Sequence, residues 1–91
     1  MAQIVVTPEE LERAAGTFEA KKEETQEILS SLRVTMESLD AEWEGVAQAK
    51  FYDEWNQMFP KMTEFTTLLG QISTELQRIA QVFRETDEQV I

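Results

Sequence analysis

Apolar residues in the second half of the chain fall at Phe51, Trp55, Met58, Met62, Phe65, Leu69, Ile72, Leu76, Ile79 and Phe83, in steps that alternate between four and three. That spacing keeps one stripe on a helix surface for more than four heptads, the pattern of an a/d seam that serves the core or a dimer contact. It predicts one long helix over about residues 46–88. At about 1.5 Å per residue such a helix spans roughly 60 Å. Pro60 lies inside the stripe. A proline removes one backbone hydrogen bond and crowds the carbonyl four residues back, here that of Asn56. The stripe keeps its phase on both sides, so the expectation is a kink or loosening near 56–60, not an end. Gly70 reads as a close-packing position.

The first half carries a weaker version of the same pattern. Leu11, Phe18, Thr25, Leu32 and Leu39 recur every seven residues, and Ala15, Lys22, Leu29 and Met36 form a second row. Thr7 is a favoured N-cap, Pro8 suits the first helical position, and Glu10 stands where a capping box places its acid. Glu9 adds a charge suited to the positive end of the helix dipole. A helix over about residues 8–40 follows. The stripe fades at Lys21, Lys22 and Thr25, which read as a solvated or partner-facing stretch.

Between the two patterns lies a corner over residues 41–45, with Trp43 and Gly45 two positions apart. Glycine tolerates the positive φ that a sharp reversal demands, and tryptophan can plug such a corner against both helices. The fold class is therefore all-α: an antiparallel helical hairpin, not a DNA-binding helix-turn-helix. Such a hairpin has one internal interface. Val46, Tyr52, Phe59, Leu68, Ala80 and Val82 lie off the strict seam, leaving more apolar surface than one interface covers. Pairing two hairpins into a four-helix bundle buries the excess, and a symmetric homodimer is the default. At about 25 cal/mol per Å² of apolar area, ~800 Å² more buried per partner is worth many kcal/mol before association costs.

Charge narrows the choice of partners. Eighteen acidic and eight basic residues give a net charge of −10. Phosphate backbones repel such a chain, so nucleic acid is not its partner, and stable membrane insertion at neutral pH is disfavoured as well. No apolar run approaches the ~20 residues that span a bilayer. The opening residues lack the basic and apolar regions of a cleaved signal peptide.

Chemistry is sparse. The chain has no histidine and no cysteine. The usual zinc sites, thiolate nucleophiles and histidine bases are excluded. The carboxylates sit in mixed charged runs such as Glu19–Glu24, and no glycine-rich phosphate loop occurs. No catalytic residue, metal ligand or cofactor site is expected, and the chain does not read as an enzyme. The aromatics Phe51, Trp55, Phe65 and Phe83 read as core. At the far end Phe83 and Asp87 are four apart, hence on one helical face where a partner can read them together.

Several stretches resemble one known family. They are Ile4 with Thr7–Leu11, the run Leu39–Ala47 around Trp43-Glu44-Gly45, Phe51, Phe59-Pro60-Lys61, and Phe65 with Leu68-Leu69. Together they are similar to the Trp-x-Gly (WXG) family of ESAT-like proteins of about a hundred residues, small substrates of type VII secretion, and most like the stand-alone, homodimerising members from Firmicutes. The resemblance implies a hairpin that dimerises antiparallel. It implies synthesis in the cytoplasm and export, without a cleaved signal peptide, by a machine driven by a membrane ATPase. A heterodimer with a related family member is the alternative to the homodimer. The family's export signal joins the Trp-x-Gly corner of one subunit to a Tyr-x-x-x-Asp/Glu motif ending the partner's second helix. Trp43 and Gly45 match the first half and Asp87 the acid of the second; Phe83 stands where the tyrosine is usual. Two other readings of the residues are an intracellular coiled-coil adaptor or chaperone that is not exported, and a membrane-active effector released by carboxylate protonation.

Overall fold

A computed structural model describes residues 5–86 of the chain. Two helices, α1 (Pro8–Glu42) and α2 (Val46–Thr86), run antiparallel as a rod 63 × 22 × 21 Å. α1 starts as its residues demand. Thr7 is extended (φ −93°, ψ 154°), and its Oγ1 accepts from the Glu10 N–H at 3.1 Å. The same hydroxyl donates to the Glu10 carboxylate at 3.2 Å, so the box closes through the side chain. The first helical bond, Leu11 N–H to the Thr7 carbonyl, follows at 3.1 Å.

α1 runs to Glu42, past the end expected near Asp40, and the corner shrinks to residues 43–45. Ala41 favours helix, and the Asp40 carboxylate accepts from the Gln48 side-chain amide across the corner. α2 continues unbroken through Pro60. After the proline, Thr63, Thr66 and Thr67 donate their hydroxyls to the carbonyls of Phe59, Met62 and Thr63 on the same helix.

The pairing of the helices can be followed from the open end to the corner. Arg84 meets Glu12, the Ser73 hydroxyl donates to the Ala15 carbonyl at 2.9 Å, Lys22 crosses Gly70, and the Arg33 guanidinium lies 4.9 Å over the Phe59 ring. Lys22 is half-buried, 2.7 Å from Glu19, with its Cδ only 3.1 Å from where a Gly70 side chain would begin. The stretch expected to be solvated or partner-facing therefore splits. Lys21 is exposed and Thr25 half-buried, but Lys22 faces α2, because Gly70 leaves room for a lysine stem.

The internal contact differs from the expected seam. From α1 it takes Ala15, Leu29 and Met36 of the second row; from α2 it takes Thr66, Leu69, Ser73, Ala80 and Phe83. Three of these, Thr66, Ser73 and Ala80, lie off the apolar stripe. Ala80, counted above as excess surface, is fully buried (0% exposed). Small side chains bring the backbones close enough for a hydroxyl to reach the opposite helix, which satisfies that hydroxyl without water. Seam residues divide accordingly. Leu69 and Phe83 are buried; Phe51, Trp55, Met62, Ile72, Leu76 and Ile79 are half-buried; Met58 and Phe65 stay 47% and 54% exposed. Phe65, expected in the core, is therefore outside the core of the single chain: its position lies beside Thr66, which takes the inward place.

Candidate functional site

The corner is built by three residues with different tasks. Trp43 is extended (φ −120°, ψ 127°) and ends α1. Gly45 has φ 115° and its carbonyl accepts from the Ala49 N–H at 3.2 Å, so it caps the start of α2. The half-buried Trp43 ring then turns onto Phe51, one and a half turns into α2, with centroids 5.7 Å apart. A second aromatic pair, Trp55 and Phe59 at 5.2 Å, continues along α2 toward the Arg33 contact.

Gly45 is required for its conformation, not for space. No atom lies within 4 Å of a side chain built there, yet its φ is one that side-chain-bearing residues rarely adopt. Gly45→Ala is expected to cost about 1–3 kcal/mol. In a domain of this size that lowers the melting temperature by roughly 5–15 °C, checked by circular dichroism at fixed protein concentration.

Phe83 lies at the other end of the rod, buried (9% exposed) where α2 closes on the start of α1. Next to it Arg84 reaches two carboxylates of α1, Glu12 at 2.7 Å and Glu9 at 3.2 Å. The hydrogen bonds Arg84 donates to Glu12 hold its guanidinium above its usual range; desolvation opposes them, and the charges of Glu12 and Glu9 add to them. Asp87 lies outside the described residues. The structure thus puts Trp43 and Gly45 at one end and Phe83 at the other, and does not bring them together within one chain. It also buries the Phe83 ring that the sequence offered as a recognition element. Arg84 was not singled out by sequence reasoning; its place one residue after Phe83, opposite an acidic first turn on α1, was the available signal.

The two long sides of the rod differ. One carries exposed Ile28, Leu32 and Leu39 of α1 with Met58, Phe65 and Leu68 of α2. The other is a polar groove of about 820 Å³, lined by Lys22, Gln26, Ser30, Arg33, Thr63 and Thr67 among others. Thr63 and Thr67 are each two positions from Phe65, about 200° around the helix. Among the described residues no group of three acidic, histidine or cysteine side chains is arranged to hold a metal, and no helix is long and apolar enough to cross a membrane.

Comparison with known proteins joins these features to a family. The model of WXG100, proteins of 100 residues with WXG, matches residues 3–88. The chain belongs to the WXG100 family. Among WXG100-like relatives, an ESAT-6-like protein of Streptococcus agalactiae is 34% identical, over 99% of this chain and 94% of its own length. The type VII secretion system extracellular protein A of Staphylococcus aureus is 31% identical, over 99% and 93%. The crystal structure of the secreted protein EsxB from Bacillus anthracis superposes with a TM-score of 0.82 at 44% identity, covering 97% of this chain and all of that one. EsxA of Geobacillus thermodenitrificans gives 0.80 at 25% identity, over 96% and 95%. Helical hairpins of this kind are thus the shared architecture, and in this WXG100 chain the WXG triplet is Trp43-Glu44-Gly45 at the corner.

Proposed function

We propose that the chain is a substrate of a type VII secretion system, exported as a folded homodimer and read through a signal assembled from two subunits. Its similarity, over nearly its whole length, to a type VII extracellular protein supports export. The observation that carries the paired form is the unpartnered apolar side of the rod, with Phe65 at 54% exposure near its middle. An antiparallel pair joined along that side covers it and leaves the polar groove to solvent. It also sets the corner of each subunit beside the open end of its partner. Trp43 and Gly45 of one chain then lie near Asp87 of the other, with Phe83 as the buried anchor that fixes where the tail begins. The membrane ATPase of the system is the proposed reader. A related family member can take the second place where its apolar side matches.

Trans-complementation tests the arrangement. Trp43→Ala alone and Asp87→Ala alone are each expected to abolish export while leaving helicity and dimer mass unchanged. Co-expressed, the two variants form mixed dimers in which one corner and one tail are intact and adjacent, and export returns. Failure of the mixed dimer to leave the cell would show that the halves are not read across the pair. Normal export of either single variant would remove that element from the signal. Retention of the wild-type chain in the cytosol of a strain with a working machine would favour the unexported adaptor.

A further inference from the structure

The open end of the rod holds the only ion pairs between α1 and α2 among the described residues. The Arg84 Nη2 lies 2.7 Å from Glu12 Oε1 and 3.2 Å from Glu9 Oε2, and its Nε donates to Glu12 Oε2 at 3.3 Å. Glu9 and Glu12 are three apart, so both carboxylates face the same way from neighbouring turns. The guanidinium fork meets Glu12 with two nitrogens and spares one contact for Glu9. The other charge of this turn is occupied elsewhere: the Glu85 carboxylate accepts from the Gln81 amide within α2. Arg84 is thus committed across the hairpin. It is also the one basic residue in the last turn of α2, while Glu9 lies in the first turn of α1. Each charge therefore suits the dipole of its own helix.

We propose that Arg84 is a positioning residue for export recognition: by clasping Glu9 and Glu12 it holds the last turn of α2 against α1 and sets the direction in which the segment carrying Asp87 leaves the rod. The inference rests on the composite signal proposed above. The contacts are exposed, and exposed ion pairs add little to global stability. A helix end is a different case. Its opening free energy is close to zero, so a contact too weak to register in a melt changes the population of the ordered turn several-fold. The buried Phe83 ring restrains α2 up to residue 83. Arg84 is the next residue, and it carries that restraint toward the tail.

Three variants and one structural readout test this. Arg84→Ala is expected to lower export at least about fivefold and to speed amide exchange in the last turn of α2, with melting temperature and dimer mass unchanged. Arg84→Glu is expected to be worse, because it faces two carboxylates. Adding Glu12→Arg to Arg84→Glu is expected to restore much of the export by rebuilding the clasp with reversed polarity. Wild-type export by Arg84→Ala would overturn the inference. So would a reversed pair that rebuilds slow exchange yet stays unexported, since the guanidinium would then be read directly. Asp87→Ala is run beside them. If it blocks export while Arg84→Ala does not, only the clasp falls; if Asp87→Ala is itself exported, the composite signal falls.

Discussion

Phe65→Glu is expected to separate the dimer, raising its dissociation constant more than ~100-fold. Phe65 has over half of its surface in the open in the single chain, so it contributes little to the hairpin and most to whatever covers it. Aromatic side chains near the middle of an interface commonly account for 2 kcal/mol or more, and an unpaired charge buried in their place costs about 3–5 kcal/mol. A two-fold interface carries the change twice. With about 1.4 kcal/mol for each factor of ten, a hundredfold is a conservative figure. Sedimentation equilibrium at low micromolar concentration reads the result directly. Val34→Glu is the control. Val34 is exposed too, but two positions from Leu32, about 200° away around α1, and the mass should not change. A Phe65→Glu protein that keeps dimer mass would place the interface elsewhere.

Ala80→Leu should destabilise the fold although it adds apolar atoms. Ala80, Ala15 and Ser73 are each buried to within 1% of completely, and all three are small. The 2.9 Å bond from the Ser73 hydroxyl to the Ala15 carbonyl measures how near the backbones come. A leucine at 80 has no room at that separation. Overpacking costs about 1–3 kcal/mol, and pushing the helices apart loses the Ser73 bond, about 1 kcal/mol more. The melting temperature should fall by roughly 10 °C or more. Ser73→Ala, which removes the bond and keeps the spacing, should cost only about 1 kcal/mol. Melts are compared at one protein concentration, since pairing makes them concentration-dependent. If Ala80→Leu melted with the wild type, the close approach would not govern stability.

These two substitutions mark where sequence reading succeeds and where it stops. The long period-seven stripe on α2 announces a helix and an apolar side, and the N-terminal Thr7-Pro8 pair announces where α1 starts. What the stripe does not reveal is that α2 has two neighbours to satisfy. The side turned to α1 is marked by Thr66, Ser73 and Ala80, whose small or hydroxyl side chains leave no apolar period to count. Phe65 and Met58, large and regular in spacing, lie on the stripe yet stay about half exposed in the single chain, which the spacing alone does not distinguish from burial against α1. Gly45 was legible, because only a backbone needing positive φ gains from glycine at such a corner. The clasp at Arg84 was not, since it joins residues more than seventy apart and depends on the register of the hairpin.

That register has a consequence for quality control. A stiff rod 63 Å long keeps its corner and its open end apart by nearly the whole length of α2. No bending of α1 or α2 short of unfolding lets one chain present both to a single reader. Under the proposed reading, a lone or misfolded chain therefore fails inspection without any separate sensor. Assembly itself becomes the credential, and the distance between the two ends of the hairpin is what makes it hard to forge.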